Sequence, residues 1–154
     1  PKVTISADVT VQSFGTQTLN VSVGTTSAYA GGGFSFIENS SSRDITSIKL
    51  TESGTVAGDT GLKNLELYYD LDTSNPYDCA SESYSGAALQ YGSTSASAFS
   101  GVGETAVFTD SINITTTSAL CLYVIYDVDN SAQNGETIEL SINSYNSIYI
   151  STLF

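Results

Sequence analysis

The start of the chain alternates without a break. Val3, Ile5, Ala7, Val9 and Val11 fall on one side of an extended backbone, and Lys2, Thr4, Ser6, Asp8, Thr10 and Gln12 fall on the other. Side chains of a strand point to opposite faces in turn, so this period of two predicts one long strand over 2–12 with one face buried. It is longer than the usual strand of about five or six residues.

Shorter apolar runs follow, each closed by Gly, Ser, Asn or Asp. They predict strands over 18–23, 33–38, 45–52, 62–70, 89–93, 105–109, 119–127, 136–142 and 147–153. No stretch carries apolar positions at helical spacing with a cap, and a turn near Ser111–Asn113 is the best helical alternative. The run Ala-Leu-Cys-Leu-Tyr-Val-Ile-Tyr-Asp from Ala119 to Asp127 is apolar on both faces, which predicts a central strand covered on both sides. Gly31-Gly32-Gly33 reads as a flexible turn feeding a strand, and Asn134-Gly135 reads as a tight turn. The fold class that follows is all-β: a single antiparallel β-sandwich, Ig-like or jelly-roll-like, of about nine to ten strands.

Composition narrows the function. The chain has 154 residues, enough for one domain with a real core, and only 13% of them are charged. Four basic against sixteen acidic residues give a net charge of -12, which repels a phosphate backbone or an anionic membrane. No apolar run approaches the ~20 residues of a membrane-spanning helix. The chain opens on Pro1 and contains no Met, as a processed export product does and as a trimmed piece of a longer chain also does.

Chemistry is sparse. Without His there is no Ser-His-Asp or Cys-His arrangement and no common zinc set, so the chain is expected not to be an enzyme. Paired carboxylates for glycoside hydrolysis arise by chance among sixteen acids, and a sugar cleft walled by Trp is excluded because there is none. No cofactor is required. Asp70, Asp72, Asn75 and Asp78 place hard oxygen ligands in one loop, a candidate calcium site. The same residues also suit a solvated turn with Asx-type hydrogen bonds, the commoner outcome. A second acidic turn, Asp127-Val128-Asp129-Asn130 with Glu136, would share that ion if both loops lay at one end of the sandwich. Tyr68, Tyr69, Tyr77, Tyr84 and Tyr91 around the first loop are a candidate carbohydrate platform, or simply packed side chains.

Asn20, Asn39 and Asn113 open three N-x-[ST] sequons, the number chance alone supplies, and are candidate glycosylation sites if the chain is exported. Cys79 and Cys121 are the only cysteines. In an exported protein they would form a disulfide stabilising the fold by roughly 3–4 kcal/mol; in a cytosolic one they would be free thiols.

The N-terminal strand has two readings. It completes its own sandwich, or it fills an open groove in a neighbour by β-strand addition, with Val3, Ile5, Ala7, Val9 and Val11 as the subunit interface. The corresponding division is 1–13 as a donor strand and 14–154 as the sandwich domain. Repeated head to tail, such a contact does not close and generates a filament. The alternating stretch 147–154 (SIYISTLF) would border the acceptor groove.

The stretches Gly32–Asp44 (GGFSFIENSSSRD), Leu67–Asp70 with Asp72 and Cys79, and Cys121–Asp127 (CLYVIYD) with Asn134-Gly135-Glu136 resemble β-sandwich modules of bacterial extracellular surface and pilin-like proteins. In its leading strand the chain also resembles the donor strands of chaperone-usher pilins and TasA-like fibres, by analogy of assembly and without their landmark residues. The resemblance implies an exported structural or adhesive protein with Cys79 bridged to Cys121, and it brings no catalytic residues. The expected function is a subunit of an extracellular filament or pilus-like surface fibre, partnered by copies of itself. The alternative is an extracellular carbohydrate- or protein-binding adhesin module at the cell surface.

Overall fold

The structure is a computed structural model, and it describes residues 8–18, 20–95, 99 and 103–149. Among these residues it is all-β, with nine strands in two antiparallel sheets packed as a sandwich. The strands are β1 (Val9–Phe14), β2 (Ala28–Tyr29), β3 (Gly33–Glu38), β4 (Ser42–Glu52), β5 (Leu62–Asp72), β6 (Leu89–Ser95), β7 (Thr105–Thr115), β8 (Ala119–Val128) and β9 (Leu140–Tyr149). One sheet runs β1-β3-β8-β5-β6, with β2 also on β8; the other runs β7-β4-β9.

β8 is central, as its two apolar faces predict. Leu120, Leu122 and Val124 face the second sheet and join Phe36, Leu65, Leu67, Ile45, Ile48, Leu50 and Phe108 in the main core. Each such side chain stabilises the fold by roughly 1.5–3 kcal/mol through its burial. Its other face, Ala119, Cys121 and Tyr123, is covered by the loop 73–88. Cys79 in that loop is bonded to Cys121, with the two Cα atoms 5.7 Å apart. Around the bridge, Tyr84 packs on Tyr29, Tyr68 and Tyr123 at centroid separations of 5.4, 5.5 and 5.9 Å. The closed bridge suits an oxidising compartment.

The structure corrects the expected strands in several places. The run 18–23 forms no strand among its described residues, because Ala28 and Tyr29 occupy the ladder position beside Tyr126 and Ile125 of β8. The runs 136–142 and 147–153 are not two strands: β9 is continuous from Leu140 to Tyr149, with a bulge at Asn143 between the pairs Lys49–Ser144 and Leu50–Ile142. One extra residue moves the buried set from Leu140 and Ile142 to Tyr145, and so the alternation looks broken in sequence. The turn at Ser111–Asn113 is part of β7. Asn134-Gly135 does turn, with Gly135 at φ 97°, but within a longer connection between β8 and β9. The triple glycine is held rather than loose. Gly31 and Gly32 have φ of 72° and 66°, and a Cβ on Gly33 would collide with the Leu122 carbonyl.

Candidate functional site

The two sheets close differently along their two long sides. On the β6/β7 side, Gly92 N–H donates to Asp110 Oδ2 at 2.9 Å, and the buried Tyr91 hydroxyl donates to the Ile45 carbonyl at 3.0 Å. On the other side lie β1 and β9, each the last strand of its sheet. There the Tyr145 hydroxyl reaches across to the Val9 carbonyl at 3.1 Å, its ring edge-on to Phe36 at 5.5 Å.

Two depressions flank that crossing. One of about 650 Å³ is bordered by Val11, Thr46 and 142–147 of β9. The other, about 330 Å³, is lined by inward-facing Phe34, Val124, Tyr126, Ile138 and Leu140. Together they form an open seam along β9, with walls of mixed polar and apolar side chains and, among the described residues, no strand on the outer edge of β9. A sheet edge exposes unpaired N–H and C=O groups, so this seam offers an added strand main-chain bonds and contact with Leu140, Ile142 and Tyr145.

Of the interface residues named from sequence, Val9 is 4% exposed and Val11 half-buried, both in this chain's own core. Val9–Phe14 pairs with Phe34, Phe36 and their neighbours on β3, so for these residues the strand completes its own sheet and the sandwich begins at β1. Val3, Ile5 and Ala7 lie outside the described residues, as does the end of 147–154.

The start of β1 is anchored by charge. Arg43 ion-pairs with Asp8 and, at 3.2 Å, with Oε2 of the buried Glu38. Glu38 Oε1 in turn accepts from Ser40 N–H and Ser41 N–H, both at 2.9 Å, and so shapes the turn from β3 to β4. At the opposite pole Glu52 is fully buried, and its Oε1 accepts from Gly54 N–H at 2.5 Å and Glu139 N–H at 3.4 Å. These bonds hold the lower lip of the seam, where Ile138, Glu139 and Leu140 line the smaller depression.

Burial raises the Glu52 pKa, the Glu139 charge adds to the rise, and the two N–H bonds oppose it. A carboxyl with a raised folded pKa contributes fully below its unfolded value, and that contribution is lost as pH rises through the folded one. Glu52→Gln keeps the acceptor and removes the charge. Urea titrations at about pH 4 and pH 7 should therefore show the variant gaining on the native chain at the higher pH. A difference that does not change with pH would refute the assignment.

The candidate calcium residues do not assemble. Asp72 is 2% exposed, and its two oxygens accept from Ser74 N–H at 2.8 Å and Cys79 N–H at 3.0 Å. Asp78 accepts from Ala80 N–H at 3.0 Å, Asn75 is exposed, and Asp70 has its pKa raised by burial while the Tyr123 hydroxyl opposes the rise. Among the described residues no three His, Cys, Asp or Glu side chains gather where they could hold a metal ion. The loop is thus organised by Asx-type bonds. The second acidic turn lies at the other pole, since Leu62 pairs with Val128 while Asp72 pairs with Ala119, roughly 30 Å along the strands. It does not share an ion with the first. There Asp129 meets Lys63 at 2.5 Å, and that bond, with those from Ser131, pulls its pKa down to about 2.

The tyrosines divide between the two faces of the sheet. Tyr91 is buried in the main core with Tyr69 edge-on at 6.3 Å, whereas Tyr68, Tyr77 and Tyr84 belong to the layer around the disulfide. They do not form one platform. The three sequon asparagines are all exposed: Asn20 in an irregular segment, Asn39 after β3 with its amide on Thr10, and Asn113 on β7 with its amide on Asp44 at 2.8 Å. No helix among the described residues is long and apolar enough to cross a membrane.

No family model matches this chain, and no curated protein matches it. The seam itself had no signature in the sequence beyond the alternating ends of the chain. Nor did Glu38, Glu52 or Arg43 stand out there, because their roles come from burial that local pattern does not report.

Proposed function

We propose that this chain is a structural subunit of an extracellular filament or pilus-like surface fibre, joined by β-strand complementation between subunits. The observation that carries this reading is the open seam between the edge strands β1 and β9, in a chain whose first residues alternate perfectly. The donor is narrower than residues 1–13: β1 serves its own sheet, which leaves 1–7, with Val3, Ile5 and Ala7, for a neighbour. Main-chain bonds to a free edge supply affinity, and alternate side chains supply register. The contact is heterologous and open-ended, so copies extend into a fibre. The subunit works as a surface and carries no reaction.

Deleting 1–7 tests this. Electron microscopy of the full chain should show filaments, and the shortened chain should give dispersed monomers with a thermal midpoint matching that of the full chain's monomer. Filaments formed equally well without 1–7 would overturn the proposal.

A further inference from the structure

Resting on that reading, we infer that the segment 1–7 of a second copy adds to the outer edge of β9, antiparallel to it, with its Ala7 end beside Leu140 and its Lys2 end beside Asn146. The direction follows from the pole at which β1 begins. β1 begins and β9 ends at one pole: Asp8 is ion-paired to Arg43, and Arg43 is in register with Tyr149. β9 starts from the opposite pole, where Leu140 pairs with Glu52. When copies stack head to tail, the pole from which the donor leaves one copy meets the pole at which β9 begins in the next. The donor then runs, from residue 1 to residue 7, against the direction of β9. Antiparallel pairing is the more stable geometry and needs no reversal of the donor.

Return into the chain's own seam is opposed by the anchoring of Asp8. Its carbonyl accepts from Asn39 N–H at 2.9 Å, extending the β1–β3 ladder by one step, and its carboxylate is held by Arg43. A hairpin would have to reverse at that point, and the returning strand would lie parallel to β9.

Length agrees with the antiparallel arrangement. Seven extended residues span roughly 23 Å, within the roughly 33 Å of β9. Ala7 then comes beside Leu140, Ile5 beside Ile142 and Val3 beside Tyr145, the inward residues of β9 that line the two depressions. Lys2, Thr4 and Ser6 then face solvent.

The test uses full-length copies with single added cysteines and the native disulfide intact, mixed pairwise and treated with a short thiol-to-thiol reagent. Ser6→Cys with Ser141→Cys, and Lys2→Cys with Asn146→Cys, should give covalent dimers, while Ser6→Cys with Asn146→Cys should not. The reverse pattern would overturn the polarity and leave strand complementation standing. Filaments with no cross-link to β9 would overturn the edge assignment alone. Monomers without cross-links would overturn both the inference and the filament reading.

Discussion

Replacing Cys79 and Cys121 together by alanine should lower the midpoint of thermal unfolding by roughly 8–16 °C. The bridge closes a sequence separation of 42 residues, for which chain entropy gives a stabilisation of about 4 kcal/mol. At this chain size each kcal/mol corresponds to about 2–4 °C. The effect should also be visible locally. The loop 73–88 is what covers the outer face of β8, and Tyr123, fully buried beneath it, owes its environment to that cover. Limited proteolysis of the double variant should therefore cut first between 73 and 88, before the sandwich opens. A fall of less than about 3 °C would mean that the Asp72 turn and the packed tyrosines hold the loop by themselves.

Arg43→Ala should be the most damaging single change at the pole where β1 begins, lowering stability by about 3 kcal/mol, or roughly 6–12 °C. Removing one member of a buried pair leaves the other charge in low dielectric without compensation, and the Glu38 side chain is fully buried. The expected cost sits at the low end for such a pair because Glu38 Oε1 keeps its bonds to Ser40 and Ser41. Combining Arg43→Ala with Glu38→Gln should cost less than the sum of the two, since the orphaned charge is then absent; denaturant midpoints of the four proteins measure that coupling. Additive losses would mean that the two side chains act independently. The same arginine holds Asp8, the last described residue before the proposed donor, so its loss should also reduce filament yield at temperatures where the subunit remains folded.

Much of the fold was legible because burial leaves a local mark on a strand. The alternation within β3 and β5, the two-sided apolar run of β8 and the turn residues between them were enough for the all-β class, and β8 proved central as its pattern requires. The cysteine pair was legible by counting. The candidate site was legible only in part. The alternating start of the chain pointed to strand addition, but its second half turned out to belong to the chain's own sheet. The carboxylates and tyrosines that looked like ligand clusters were dispersed by their strand faces and turn bonds.

Sequence by itself determined the class of structure, the central strand and the partners in the disulfide, because each depends on residue type and on a period of two within a few residues. Tertiary structure alone decided the rest. The register shifts in β4, β5 and β9 depend on which strand lies opposite, and Asn64 in β5, at φ 49°, is one place where the buried face changes sides. The separation of the acidic turns and the open side of the sandwich follow from strand order. That order joins β3 to β8 and β4 to β9 across most of the chain. An edge is a property of what a strand does not pair with, and no local pattern of side chains encodes it.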